Sequence, residues 1–564
     1  MLFNITFGNL TGLSSSQQAA FEAACVVACQ YYQHEFTDNV TVNVTFNWSP
    51  LSAGALADNN FQGVLVSYTQ LANALKAIGK SPDQIGAYAT LPASDPTGSS
   101  QWFVPQAQAR LLGLTSTTGT DDTVNLNSNI GFSGFSFNPY ARRTPGTFDA
   151  IGVFEHELSE GSLGRIQALG MTGVGSEQNW NGWHAELDLF RYNTSISGPV
   201  RALTAGPGYF SIDGHTLLQQ YNNPVNGGDA VDWLPSIQGD SYGDGYRGTG
   251  SFVTPVDVRE DNVLGWTRAA ASSDFTGNYT SDVFWQDTSS GAIGEWLMNN
   301  GQISAAPALG NAAGYQIAGI GDFNGDGTSD IFWQQSNGNM GEWLFSNGQI
   351  YAAPFLGTMP AGYKIAAIGD FNGDGTSDVF WQDTNSGTVG EWLISNGQIY
   401  AAPSLGQAST SLQILGAGHF TGTNTDDILW RQSNGVVGEW LISNGQIYAA
   451  PSLGGTSSSF QILGFGDFTG NGTDDILWRD NASNTVGEWM MSNGLIAQSI
   501  TLGNIPSTWQ FVGVGDFTSN GVQDIVWRDS SSGGMTEWVM QGGQINQGIG
   551  LGASSPNFNL VLRK

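Results

Sequence analysis

Residues Phe148–Gly164 read FDAIGVFEHELSEGSLG, and the sense of the N-terminal half turns on the five residues His156-Glu157-Leu158-Ser159-Glu160. Apolar Ile151, Val153, Phe154 and Leu158 give the stretch a helical period, and Gly161 and Gly164 supply stop signals. Positions four apart share one face of a helix, so His156 and Glu160 can both reach a single metal ion. Glu157 lies beside them, placed to take a proton from metal-activated water. The pattern is H-E-x-x-H with glutamate in place of the second histidine, and imidazole and carboxylate are both zinc ligands. The same five residues also suit a solvated helical face. Catalytic zinc takes three protein ligands and leaves one position open, so a third ligand must come from elsewhere. Asp188, His184 and His215 are the candidates, His215 lying in a Gly-flanked turn where an exposed histidine is the ordinary finding.

Upstream, LFNITF at 2–7 alternates as a strand, and Ser14 to Phe36 reads as a helix opened by a run of serines. Val40 to Trp48 alternates with period two, 66–79 predicts a second helix, 91–100 a loop and 105–114 a short helix. Val124 to Phe137 reads as extended, and Val256 to Trp266 as a short amphipathic helix. A mixed sheet whose edge strand lies beside the metal-bearing helix is the arrangement that holds an extended peptide by backbone pairing.

The chain has 564 residues, enough for two or more domains. Seventeen Lys plus Arg against 48 Asp plus Glu give a formal net charge of −31, which disfavours nucleic acid and anionic membranes as partners. No apolar run is long enough to cross a membrane, and the opening MLFNITFGNL shows no basic n-region or long apolar h-region of a signal peptide. Acidity and scarce lysine favour an extracellular setting. Cys25 and Cys29 lie four apart on a predicted helix, and read as two small buried side chains ahead of a disulfide or metal pair.

Several separated blocks in residues 1–268 resemble a family of secreted bacterial metalloproteases of metzincin-like character: the H-E-L-S-E helix, then DLFRY at 188–192, YFSIDG at 209–214, GDAVDW at 228–233 and DNVLGW at 261–266, with SYTQLANAL at 67–75 and LPASDPT at 91–97 upstream. The resemblance implies an α+β zinc peptidase with His156, Glu160 and a third ligand, Glu157 as general base, and a peptide or protein substrate. It ranks Asp188 first as third ligand because Asp188 opens the DLFRY block, with His184 close behind. Arg191 or Tyr192 would stabilise the oxyanion, although an Arg–carboxylate pair and a core tyrosine are the plainer readings of those two. One departure stands out. After Glu160 the chain reads Gly-Ser-Leu-Gly-Arg, where the family carries an apolar pair before the glycine, so the helix exit is expected to differ.

From about residue 274 the chain repeats. The first tryptophan of each unit is Trp285, Trp333, Trp381, Trp430, Trp478 or Trp527, and a Glu-Trp pair follows each, from Glu295-Trp296 to Glu537-Trp538. A period this long with four β-like runs predicts a six-bladed propeller, its first blade completed by the C-terminal run Phe558–Val561. The tryptophans read as core rather than as a ligand platform. Two units carry near-identical acidic loops: Asp322, Asn324, Asp326, Thr328 and Asp330, then Asp370, Asn372, Asp374, Thr376 and Asp378. Alternate oxygens about a glycine turn suit calcium, while an Asx-rich turn without an ion is the plainer alternative. Loops built on Asp467, Asn471 and Asp475, and on Asp516, Asn520 and Asp524, are weaker versions; those at Asp274 and His419 are more degraded. The repeats resemble the FG-GAP/VCBS type of bacterial surface and secreted proteins.

The expectation is therefore a secreted two-part protein: a metzincin-like zinc peptidase over residues 1–270, and over 271–564 a calcium-bearing six-bladed propeller that attaches a partner, glycan or surface protein. The rival is a non-catalytic extracellular adhesion protein that keeps a protease fold without activity.

Overall fold

The computed structural model describes residues 1–79, 81–98, 101–139, 142–169, 182–194, 199–223, 229–236, 239–243, 245–269, 272–299, 301–423, 425–443, 445–518 and 521–563. The chain divides into two compact units, Met1–Arg268 and Ala269–Lys564. No helix among the described residues is long and apolar enough to cross a membrane.

The first unit is mixed α+β. Strand β1 (Leu2–Phe7) runs parallel to β2 (Thr41–Ser49), β2 parallel to β6 (Asp122–Asn127), and β3 (Ala57–Phe61) closes the edge antiparallel to β6. The β1–β2 crossover is helix α1 (Ser15–Glu35), started by Ser14 in a capping box with Gln17. Alternation in β2 puts Val42, Val44, Phe46 and Trp48 inside, against Phe21 and Phe154. Cys25 and Cys29 are free and fully buried in this core. Strand β4 (Gly63–Val66) pairs with β5 (Trp102–Pro105), and α2 (Tyr68–Ile78), α3 (Pro82–Ala89) and α4 (Gln106–Leu111) flank them. Val124 to Phe137 is strand to Asn127, then two short 3-10 turns, then a two-residue strand Phe135–Ser136 that pairs parallel with Phe148–Asp149.

Helix α6 (Pro255–Val263) departs from the amphipathic expectation. Asp257, Glu260, Asp261 and Asn262 are all fully buried. Each acid meets a buried donor: Trp233 Nε1 donates to Asp257 at 2.6 Å, Tyr221 Oη to Glu260, and Tyr242 Oη to Asp261. Burial pushes the Glu260 and Asp261 carboxyls up to about 8.

The second unit is built of six antiparallel sheets of four or five strands. The second sheet shows the plan: Tyr315–Gly321, Asp330–Gln335, Asn339–Ser346, Gln349–Ala352 and Phe355–Thr358. The C-terminal strand Phe558–Val561 pairs antiparallel with Val283–Asp287, completing the first sheet as the repeat pattern implied. The closed six-bladed propeller is nevertheless corrected: the six sheets are separate and open, none closed on itself or strongly curled.

The Gly-Glu-Trp signature has a local cause. Trp333 lies opposite Gly341, and a Cβ at Gly341 would come within 2.4 Å of the indole. Trp381 and Gly390 repeat this at 2.4 Å. Glycine gives each indole its seat, and these tryptophans are buried as core. The glutamates of all six Glu-Trp pairs are fully buried, and neither carboxylate oxygen of any accepts a hydrogen bond. Burial raises each of them, Glu342 to about 8 and Glu439 to about 9.

Candidate metal centre

Helix α5 (Ala150–Glu157) starts at Asp149, whose side chain accepts from Ile151 N. Arg142 fixes this end, donating Nε to Asp149 at 2.7 Å and its two Nη to Glu155 at 2.8 and 3.0 Å. Past Glu157 the backbone widens into a π-helical turn, Leu158–Leu163, closed by Gly164 in the left-handed region at φ 101°. This turn and its cap contain the Glu160-Gly-Ser-Leu-Gly stretch. Gly161 fits because the Asp122 carboxylate lies against it, 2.4 Å from where a Cβ would be. Single π-turns within α-helices concentrate at functional sites.

The turn brings Glu160 Oε1 to 3.4 Å from His156 Nε2, and Asp232 Oδ1 also stands 3.4 Å from that nitrogen. His156, Glu160 and Asp232 offer ligand atoms within 4.8 Å of one another and could hold a metal ion. Three details fit this. The His156 Nδ1 is 2.8 Å from the Ser241 carbonyl, so Nδ1–H donates there and Nε2 is the nitrogen that faces the cluster. Asp232 Oδ1 is buried and accepts no hydrogen bond, its ion-pair partners among the described residues being His156 Nε2 at 3.4 Å and Arg165 Nη1 at 3.9 Å, which leaves room for a further partner. Zinc–ligand bonds of about 2.0–2.1 Å at tetrahedral angles separate neighbouring ligand atoms by about 3.4 Å. Nearby carboxylates hold the His156 imidazole well above its ordinary value, Asp232 foremost, although burial opposes them. Burial also lifts the Asp232 carboxyl to about 8.

Helix α6 explains how ligands from distant loops reach one point. Its Asp257 grips Trp233, the neighbour of Asp232, and its Asp261 grips Tyr242, the neighbour of Ser241. Tyr221 stacks on Trp233 with centroids 4.8 Å apart and is held by Glu260. The acids of α6 thus position Asp232 and the carbonyl that orients His156.

Glu157 is buried beside the cluster. Its Oε2 accepts no hydrogen bond, and burial with the adjacent Glu160 raises its carboxyl well above the ordinary value. Asn59 on edge strand β3 donates Nδ2 to the Glu157 carbonyl at 2.9 Å, tying that edge to the helix.

The other sequence candidates lie in different surroundings. Asp188 Oδ2 accepts from Leu169 N at 2.8 Å, Ala185 N at 3.1 Å and His184 Nδ1 at 3.1 Å. Asp188 and His184 therefore knit the DLFRY segment, and they are not in the ligand group found among the described residues. Arg191 is buried with its Nη donors on the carbonyls of Ala202, Thr204 and Gly206. Tyr192 Oη donates to Thr90 Oγ1 at 3.4 Å. These bonds tie both side chains to neighbouring segments of the fold. His215 is exposed in the Asp213 turn. The sequence reading did not single out Asp232 as a candidate, although it sits in the GDAVDW block that carried the resemblance.

In the second unit, Asp322 accepts from Gly325 N at 2.7 Å and Gly327 N at 2.9 Å, and Asn324 Oδ1 from Asp326 N at 2.8 Å. Asp326 Oδ1 accepts from Thr328 N and Oγ1. Asp330 accepts from Phe323 N at 3.1 Å and Phe345 N at 2.8 Å, stapling loop to strand. The loop from Asp370 through Asn372, Asp374, Thr376 and Asp378 repeats every one of these bonds. Asp475 and Asp524 carry the same strand staple to Met491 N and Met540 N. Asp467 and Asp516 accept backbone N–H groups of their loops, and Asn471 Oδ1 accepts from Thr473 N. Asn520 lies outside the described residues.

The FG-GAP-like repeat family matches residues 322–381, within the repeat unit. No curated protein matches the chain. Among solved structures, a Photorhabdus luminescens Tc holotoxin pore is 16% identical with a TM-score of 0.29, over 46% of this chain and 14% of that one. A Bacteroides thetaiotaomicron quinonprotein alcohol dehydrogenase-like protein is 10% identical with a TM-score of 0.27, over 51% of this chain and 68% of that one. Chaetomium thermophilum Raptor is 11% identical with a TM-score of 0.29, over 51% of this chain and 25% of that one. The chain thus spans a small part of the holotoxin chain, and similarity at this level assigns no function.

Proposed function

We propose that the chain is a secreted zinc-dependent peptidase, with His156, Glu160 and Asp232 as metal ligands and Glu157 as general base. The observation that carries this reading is the buried three-residue cluster with its orphaned Asp232 oxygen. A zinc ion held there would supply Lewis acidity toward a peptide carbonyl and lower the pKa of water. The chain's own part is to hold His156 in one tautomer through Ser241, to keep the cluster dry, and to take a proton on the free Glu157 oxygen. A divalent cation on the cluster would draw the raised Glu157 carboxyl back toward the range of a working base. Strand β3, on the sheet edge nearest Glu157, supplies the backbone on which an extended peptide would pair.

The plainest rival is an ion-pair cluster in which Arg165 and a protonated His156 satisfy the two carboxylates without metal. Elemental analysis of the purified full chain separates the two. One zinc per chain, removed by a chelator and lost in a His156→Ala variant, is expected. Protein that holds no transition metal and regains none on dialysis against zinc would sink the peptidase reading.

We assign the repeat unit to attachment of a partner, a glycan or surface protein. Tyr351, Tyr400 and Tyr448 support this, each more than half exposed at the same position of three successive outer strands. Calcium in the loops at Asp322 and Asp370 would stiffen it. Calcium at about 100 times its Kd should then raise Tm by about 5 °C. The Asp326→Asn/Asp374→Asn double variant should lose that response. An equal rise in both proteins would leave those loops as plain Asx turns.

A further inference from the structure

Arg165 lies just past the left-handed Gly164, which returns the chain so that Arg165 N donates to the Ser159 carbonyl at 2.9 Å. Its side chain is fully buried, an expensive place for a guanidinium without partners. The partners are unusual for a structural arginine. Nη2 donates to Glu160 Oε1 at 3.2 Å, and Glu160 Oε1 is the atom that faces His156. Nη1 donates to the Val231 carbonyl at 3.1 Å and stands 3.9 Å from Asp232 Oδ1, again the oxygen that faces His156. Nε donates to Ser159 Oγ at 2.8 Å, and the guanidinium lies 4.3 Å from the centroid of the Tyr242 ring. Glu260 of α6 is a further charged neighbour.

Charge counting gives this placement a purpose. Zinc with two neutral imidazoles and one carboxylate carries a net charge of about +1, whereas zinc with one imidazole and two carboxylates is neutral. The neutral set is the poorer Lewis acid. Resting on the reading of the cluster as a zinc centre, we propose that Arg165 is a positioning residue that stands in for the missing second histidine: it fixes the two ligand carboxylates and returns the lost positive charge to the site.

The test uses the full chain loaded with Co2+ in place of zinc, whose visible spectrum changes with pH. Metal uptake is measured on the same samples. Charge loss in Arg165→Gln and Arg165→Met is expected to raise the spectral midpoint by about one to two pH units, given the size of a unit charge in a partly shielded site. Arg165→Lys keeps the charge without the planar fork, and its midpoint should match wild type. The Lys variant keeps the proposal testable even where neutral side chains fail to fold. A common midpoint in all metal-loaded variants would overturn the role, as would a Lys variant displaced as far as Gln. A wild-type chain that takes up no Co2+ would overturn the metal centre itself, and this role with it.

Discussion

Replacing Glu157 by glutamine is expected to cut kcat/KM toward peptide substrates by about two to four orders of magnitude, the usual weight of a general base. The change is isosteric and leaves His156, Glu160 and Asp232 untouched, so zinc content and thermal stability should stay at wild-type levels. Glu157 is well suited to such a test. Its Oε2 makes no hydrogen bond that a glutamine would have to replace, and its backbone carbonyl remains available to Asn59. Removal of a buried carboxyl whose pKa is raised by burial and by Glu160 should, if anything, relieve the fold. The measurement is steady-state cleavage of a mixed peptide library, with metal analysis of the same preparation. Cleavage that survives in the zinc-loaded variant would remove Glu157 from the mechanism.

The second large effect distinguishes the two acids that compete for the third ligand position. Asp232→Ala should weaken zinc binding by more than about 100-fold, since even residues that only orient a ligand cost about 10–100-fold when lost. Its effect on folding should be smaller than that of the Asp188 change, because Asp232 Oδ1 accepts no hydrogen bond and meets His156 and Arg165 only at 3.4 and 3.9 Å. Asp188→Ala should do the reverse. It strands the N–H groups of Leu169 and Ala185 and frees His184, all of which rest on Asp188 Oδ2. Loss of a buried charged acceptor of this kind costs about 2–4 kcal/mol, and zinc affinity should be unchanged. Chelator-competition titration and thermal denaturation on both variants decide the matter. Zinc lost from the Asp188 variant but kept by the Asp232 variant would reverse the assignment.

Much of the candidate cluster could be read in advance because two of its residues obey a local rule. His156 and Glu160 are one helical turn apart, and spacing alone puts them on one face. Asp232 obeys no such rule. It arrives by way of α6, whose acids hold Trp233 and Tyr242, and the sequence around α6 points the wrong way. A run of Asp257, Glu260 and Asp261 reads as a solvated face, yet all three are buried because tyrosine and tryptophan donors meet them inside. Asp188 shows a related ambiguity. A buried acid flanked by a histidine looks the same whether it binds metal or backbone amides. In five of the six units of the second half the first Trp lies opposite a glycine, Trp527 facing Thr536 instead. The 48- to 49-residue period carried the strand order. It carried no information on whether the sheets join into one closed assembly, and that part of the expectation did not hold.

The pairing of Phe558–Val561 with Val283–Asp287 has a bearing on how the polypeptide is made. On the ribosome, the strand at 283–287 must wait until the chain has grown to Phe558 before its neighbour exists. Until then, that edge is open to any passing extended segment, and the similar strands of later repeats are the nearest impostors. A nascent chain stalled shortly before Phe558 should therefore be more exposed to protease and to holding chaperones than the finished molecule.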